Sequence, residues 1–416
     1  MSLDVYLHGE RIGDLERTIG TDYRFAYAAE TVSEAGEDAI VLSNSLPVRE
    51  QAYDAMATRT FFDGLLPEDV RRDEIARELR ISPNDGFALL AEIGRDCAGA
   101  IVIVSEGEAI ESGVGDVSWL SDEGLAEMVE RLPERPLGIE REGRRMRLSL
   151  AGVQRKLTLI RSGSGRFGEP RADAPSTHLI KPQYDEKYPD LAYNEMFCMR
   201  VARCTGLSVA ETELELIAGR PCLISRRFDR SSDGTTTTRL HQEDLCQALG
   251  IPSNLKYQEV SGPGFSHLCR LLQEIGRGAD VETAVRAAVC NFVLGNSDAH
   301  GKNFAILFAE PGRQLAPLYD VVCTAVYGLD TAMAMSTGDA YEPAEATLAD
   351  WTDMSYDCDL GVDPFLGLVR RTAEGVRECA VSVAQLAQAE GWHAPVIDEI
   401  VEVARSRSRL IAAQLG

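Results

Sequence analysis

Apolar and polar positions alternate at the start of the chain. LDVYLHGERIGDLE (3–16) alternates on either side of an H-G-E turn and predicts two short strands. YRFAYA and AIVLSNSLPV predict further strands. FFDGLLPEDVRRDEIARELRI then turns helical, with Pro67 near the helix start and Val70, Ile75, Leu79 and Ile81 at mixed spacing. Asn84 or Asp85 is placed to cap a helix over FALLAEIG. CAGAIVIVSEGE reads as a strand entering a polar, glycine-rich stretch at 106–118, the first candidate boundary.

Beyond it, SDEGLAEMVERL predicts a short helix from about Ser121. RMRLSLAGVQRKLTLIRSGSGRF predicts two strands joined by a loop, with Gly152 near the first bend. STHLIKP is a strand stopped by Pro182, and LAYNEMFCMRVARCTGL a helix closed by Gly206. PCLISRRFDR is another strand, and from HQEDLCQALG onward the pattern is mostly helical. VETAVRAAVCNFVLGN puts apolar residues 281, 285, 288, 289, 292 and 293 on one helical face. FAILFAEPGRQLAPLYD predicts a hairpin across Pro311-Gly312, and 360–416 a helical bundle. This order gives an α+β fold of two lobes behind a β-rich N-terminal module.

Composition narrows the class. The chain has 416 residues, 44% hydrophobic and 26% charged, as an ordinary globular protein of two or three domains does. No apolar run approaches the ~18 residues of a membrane span. The start, MSLDVYLHGE, lacks the basic and apolar regions of a secretory signal, so a cytoplasmic location is expected. Ten cysteines without a C-x-x-C pair read as small buried hydrophobes, not as disulfides or a zinc site. The net charge of -24 repels nucleic-acid backbone, so any action at DNA needs a basic partner for the phosphate contacts.

The candidate chemistry lies in NSDAHGKNF (296–304). Asp298 precedes Asn303 by five positions, the interval of a protein-kinase catalytic loop, where an Asp takes the proton of the attacking hydroxyl and an Asn holds magnesium. Asp320, in LAPLYDVV at the end of the following hairpin, supplies the second acid. Upstream, Lys181 in the strand HLIKP has the place of a nucleotide lysine, and Glu195 early in the next helix is its possible partner. SLAGVQRK (149–156) offers a small-residue turn, Ala151, Gly152, Val153 and Gln154, whose backbone N–H groups suit phosphate oxygens, with Lys156 adding charge. Each piece has a plainer reading. Lys181 suits a solvated strand end, Glu195 a helix N-terminal acid, HQED a polar helix start, and His300 a group that satisfies the loop backbone. Their order along the chain favours phosphoryl transfer.

FFDGLLPED, SLAGVQRK, HLIKP, NEMFCMRVA, RRFDR, HQEDLCQALG, NSDAHGKNF and LAPLYDVV follow one another as in a known family. The chain resembles the HipA kinases of type II toxin–antitoxin modules. The resemblance implies a HipA-type N-terminal subdomain over 1–105, a kinase N-lobe-like region over 106–228 and a helical C-lobe-like domain over 229–416. It implies a serine/threonine protein kinase that uses ATP and Mg2+ and acts as a toxin. The implied substrate is a translation-related protein such as an aminoacyl-tRNA synthetase. It also implies a small helix-turn-helix antitoxin through which operator DNA is bound. By the same resemblance Asp298 is the catalytic base, Asn303 and Asp320 hold magnesium, and Lys181, His300 and Lys302 serve the nucleotide. Adenine would meet the backbone near Arg226 and Phe228, and Ser149 would be autophosphorylated. Arg226 stands where the family often has Glu, and Arg155 replaces another frequent Glu. Two other classes stay open: a small-molecule phosphotransferase of the aminoglycoside or choline kinase type, and a non-catalytic scaffold of a repressor complex. The presence of Lys181, Asp298, Asn303 and Asp320 together counts against the scaffold.

Overall fold

The structure is a computed structural model that describes residues 1–110, 117–136, 154–184, 187–232, 236–309, 312–329 and 331–416. Ser149, Ala151, Gly152, Val153, Pro311 and the strand expected over RMRLSL lie outside the described residues. The chain divides into two compact units. Met1–Pro182, Leu216–Asn254 and Leu307–Ala309 form the first, and Gln183–Glu215, Leu255–Ile306 and Glu310–Gly416 the second.

The first unit opens on the hairpin expected from the alternation. Ser2–Leu7 pairs antiparallel with Glu10–Arg17 around His8 and Gly9, both at positive φ. The sheet continues in the order Tyr23–Tyr27, Glu10–Arg17, Ser2–Leu7, Ile101–Ser105. Its inward residues Leu3, Val5, Leu15 and Phe25 share one buried core with Phe61, Phe62, Phe87 and Leu90. Two side-chain caps fall where the residue types put them: Asp85 accepts from the Ala88 N–H, and Ser121 from the Gly124 N–H. A second sheet runs Val117–Trp119, Phe167–Pro170, Leu157–Arg161, His178–Pro182, Arg220–Arg226 within this unit.

Two expectations need correction. AIVLSNSLPV is not a strand; one isolated bridge, Ser43 to Leu46, is the β-pairing it makes among the described residues. HQED is not a helix start. His241–Asp244 is a strand, and Asp244 then caps the helix Leu245–Leu249 in a capping box with Gln247. One network explains both. Glu243, buried, accepts from the Ser43 hydroxyl at 2.5 Å and the Asn44 N–H at 3.1 Å, while the His241 Nε2 lies 2.7 Å from the Leu42 carbonyl. The Leu42 carbonyl and the Asn44 N–H are thus satisfied on side chains about 200 residues away and not on a neighbouring strand.

A second buried network holds RRFDR. Arg227 donates to Asp229 and to Ser176, and Arg230 donates to Asp96 at 2.9 Å. Arg239 also reaches Asp96. Burial alone would raise the Asp96 carboxyl, but Arg227, Arg230 and Arg239 together hold it below its ordinary range. Asp229 is lowered in the same way, against its own burial, and also accepts from the Gly99 N–H at 2.7 Å. Gly99 is at φ +74, and a Cβ there would lie 2.8 Å from the Gln242 nitrogen, so this approach requires glycine.

His241 makes stability pH-dependent. Burial pushes its imidazole from 6.5 down to about 4, the Leu42 carbonyl only partly opposing this. The lowered pKa means that the unfolded chain binds the proton more readily between these values. The stabilisation is therefore full above pH 6.5 and is lost as pH falls toward about 4. It amounts to about 3 kcal/mol. His241→Gln is expected to flatten that part of the acid limb in urea-unfolding midpoints measured across pH; an unchanged limb would exclude His241 as its source.

The second unit is mainly helical: Leu191–Cys204, Phe265–Glu274, Gly278–Leu294, Leu348–Asp357, Val362–Glu390 and Pro395–Leu415. The bundle expected over 360–416 is present, and the apolar face of Gly278–Leu294 is buried. Strands Ala305–Ala309 and Gly312–Leu315 follow in the chain, where the two arms of a hairpin are expected. One cysteine expectation is overturned. Cys204 at the end of its helix is disulfide-bonded to Cys379 in Val362–Glu390, with Cα atoms 5.8 Å apart. The helix packing brings together two cysteines 175 residues apart, which no local spacing reveals. The other eight are buried thiols, as expected.

Candidate active site

The helix Gly278–Leu294 stops at Gly295, whose φ of +71 turns the chain out of the helix. A Cβ there would also lie 2.8 Å from the Val403 Cγ1. The Asn296 N–H then returns to the Asn291 carbonyl, and the two asparagine side chains hydrogen-bond at 2.8 Å. Ser297 is held through its N–H on the Thr324 hydroxyl and its carbonyl on the Ala334 N–H. The catalytic-loop candidate therefore leaves its helix on a fixed path.

The short turn Gly301–Asn303 is closed from inside. The His300 N–H donates to the Asn303 Oδ1 at 3.1 Å, and the Lys302 N–H to the His300 Nδ1 at 3.3 Å. The acceptor role puts the proton of a neutral His300 on Nε2. The Gly301 N–H donates to the Lys256 carbonyl at 3.1 Å. Within 296–304, Asp298 is exposed, Asn303 is half-buried and every other residue is buried. A solvated turn would expose His300 and Lys302 as well; this loop exposes its acid.

Asp320 is set by a separate chain of contacts. Leu318 is tied on both sides, its N–H to the Ser208 carbonyl and its carbonyl to the Ala210 N–H. The Tyr319 hydroxyl donates to the Lys302 carbonyl at 2.5 Å. Asn303 and Asp320 are thus each one residue from opposite ends of one hydrogen bond. Asp320 itself is exposed at φ +59, a left-handed conformation that Asp tolerates better than most residues. Beyond it, the buried Asn194 side chain takes both backbone groups of Cys323, accepting from its N–H at 2.8 Å and donating to its carbonyl at 2.9 Å.

Among the described residues no group of three or more His, Cys, Asp or Glu forms a metal cage. Magnesium asks for less, since it keeps water and takes one or two carboxylates beside substrate phosphates. The amide of Asn303 and the carboxylate of Asp320 are hard oxygen donors that fit this demand.

The remaining candidates lie on other elements. Lys181 is buried on the strand His178–Pro182, opposite Leu223 of Arg220–Arg226. Gln154 and Lys156 are half-buried just before Leu157–Arg161, and Arg155 between them pairs with Glu74 at 3.1 Å. Arg226 is exposed at the end of its strand and Phe228 is half-buried after it. Glu195 is buried in the helix Leu191–Cys204 of the second unit. The sequence reading passed over Tyr257 and Asn194. The Tyr257 hydroxyl donates to the Asp298 Oδ1 at 2.7 Å, and its ring meets His300 edge-on with centroids 5.2 Å apart. Tyr257 sits in NLKYQEV, which carries no local signal; Asn194, beside Glu195, was within reach of it.

Comparison with known proteins decides the family. Residues 148–388 match the HipA-like C-terminal domain, and residues 3–104 the HipA N-terminal domain. The chain belongs to the HipA family. This HipA-family kinase is 38% identical over 377 residues to the putative kinase Y4mE of Sinorhizobium fredii, covering 89% of the chain and 87% of that relative. It is 29% identical over 359 residues to the serine/threonine-protein kinase toxin HipA of Shewanella oneidensis, covering 82% and 80%. It also superposes on HipA in the complex of Shewanella oneidensis HipA, HipB and operator DNA. There the TM-score is 0.80 at 25% identity, covering 99% of this chain and 96% of that one. The fold is therefore the α+β, kinase-like fold of the family. No helix among the described residues is long and apolar enough to cross a membrane.

Proposed function

We propose that this chain is a serine/threonine protein kinase that uses ATP and Mg2+ and acts as the toxin of a toxin–antitoxin pair. Its substrate is a translation-related protein such as an aminoacyl-tRNA synthetase. The observation that carries this reading is the buried, internally bonded loop that exposes Asp298. Asp298 takes the proton of a substrate hydroxyl as that oxygen bonds to the γ-phosphorus of ATP. The bond from phosphorus to the β,γ-bridging oxygen breaks and ADP leaves, and Asp298 returns its proton to water. Asn303 and Asp320 would hold magnesium, which would supply charge neutralisation at the phosphates. Lys181, with Glu195 as its partner, and Lys156 add positive charge on the phosphate side. The backbone of 151–154 cradles phosphate oxygens, and the backbone near Arg226 and Phe228 faces adenine. His300 and Lys302 complete the nucleotide side of the loop.

Ser149 is the proposed autophosphorylation site. Incubation with ATP and magnesium is expected to give one main phosphate, placed at Ser149 by peptide mass spectrometry and missing from Asp298→Asn. A phosphate adds about -1.5 to -2 charge at neutral pH, so the modified form is expected to bind ATP more weakly. Efficient phosphorylation of a protein substrate with Ser149 unmodified would contradict this self-inhibition.

The partner is a small helix-turn-helix antitoxin. With a net charge of -24, the isolated chain is expected to bind duplex DNA poorly and to join operator DNA only with that partner. Electrophoretic mobility shifts with and without the antitoxin test this. Tight, salt-sensitive binding by the isolated chain would oppose it.

A further inference from the structure

We propose that Tyr257 is a positioning residue for the carboxylate of Asp298, an inference that rests on the catalytic reading of Asp298 above. A base whose carboxylate rotates spends little time facing the proton it must take. Here the Tyr257 hydroxyl fixes one carboxylate oxygen, Oδ1, with a bond of 2.7 Å. Such a bond to a charged acceptor is short and directional.

Tyr257 can act as a fixed donor because its own segment is locked. Next to it, the Lys256 carbonyl receives the Gly301 N–H, so tyrosine and loop share a backbone bond three residues beyond Asp298. On the other side Gln258 is bound to 334–336. Its N–H donates to the Ala334 carbonyl at 3.0 Å, its Oε1 accepts from the Ser336 N–H at 2.9 Å, and its Nε2 donates to the Ser336 hydroxyl at 2.8 Å. Ala334 is also the residue whose N–H holds the Ser297 carbonyl, so the anchors of Tyr257 and of Asp298 converge. The segment closes on itself where the Gly262 N–H meets the Tyr257 carbonyl at 2.9 Å. A Cβ on Gly262 would lie 2.5 Å from that same oxygen. The ring of Tyr257 rests edge-on against the buried His300, which fixes the direction of the hydroxyl.

The ring and the hydroxyl separate in Tyr257→Phe, which keeps the contact with His300 and removes the donor. Misplacing a reacting group by about 1 Å can cost ~10²-fold in rate. Tyr257→Phe leaves the loop backbone in place and removes one bond that orients the carboxylate, so kcat for protein phosphorylation is expected to fall about 10-fold, with KM for ATP within about 2-fold. In a double-mutant cycle, Tyr257→Phe is expected to have no further effect on Asp298→Asn, because the group it positions is already inactive. Thermal unfolding of Tyr257→Phe close to that of the parent excludes loss of fold as the cause. Unchanged kcat, a loss that appears as raised KM for ATP, or additive losses in the cycle would each overturn the proposal. Should Asp298→Asn itself retain near-parental activity, the catalytic reading fails first. Should Asp298→Asn be inactive and Tyr257→Phe unaffected, only the positioning role fails.

Discussion

Asp298→Asn is expected to lower phosphoryl transfer to protein by ~10²–10⁴-fold, the usual range for losing a general base. The fold should survive. The other bonds of the loop, from the Asn303 Oδ1 to the His300 N–H and from the Lys256 carbonyl to the Gly301 N–H, do not involve the Asp298 side chain. An amide oxygen at 298 still accepts from the Tyr257 hydroxyl, so even the orientation of the side chain is retained. ATP affinity, measured by calorimetry with magnesium, should stay within about 2-fold, because removing a group that acts in the chemical step leaves ground-state binding largely intact. Asp320→Asn should behave in the opposite way, weakening magnesium-dependent ATP binding itself. Near-parental transfer by Asp298→Asn would remove Asp298 from the reaction.

The largest expected effect on stability comes from Asp96→Ala. Asp96 is buried against Arg227, Arg230 and Arg239, and also accepts from the Ser176 N–H. Arg227 and Arg230 are themselves buried, and Asp229 is the acidic partner they share with Asp96. Truncation at 96 leaves two buried guanidinium groups on one carboxylate. Breaking a buried pair from one side typically costs about 3–5 kcal/mol, because the remaining charge stays desolvated. Hydrogen exchange of peptides covering Ile101–Ser105 and Arg220–Arg226 reads this cost directly. Exchange should rise in both strands, since Asp96 and the Cys97 carbonyl are bonded to the arginines that follow the second of them. Parental protection in both would show that the network contributes little.

What the chain disclosed in advance was local. Helix ends with a short polar cap, at Asp85 and Ser121, and the glycine exit at Gly206 follow from residue type and periodicity. The spacing of Asp298, Asn303 and Asp320 was equally legible, because a loop and a hairpin separate them along a short stretch of chain. What stayed hidden depends on distant partners. AIVLSNSLPV has the composition of a strand, but its Asn44 N–H and Leu42 carbonyl are taken by the side chains of Glu243 and His241. HQED carries helix-cap residues, yet its Glu faces Ser43 and only its Asp caps a helix. The disulfide joins two helices far apart in the sequence. Tyr257 lies 41 residues before Asp298, in a stretch with no pattern, and only the folded second unit sets its hydroxyl on that carboxylate.

The most direct measurement follows the phosphate. The purified chain is incubated with ATP labelled at the γ-phosphate, magnesium and a cell extract, alongside Asp298→Asn. Label is expected in protein as phosphoserine or phosphothreonine, with the Asp298→Asn sample close to background. Label that enters small molecules instead, or enters protein equally with Asp298→Asn, would contradict a protein kinase that works through Asp298.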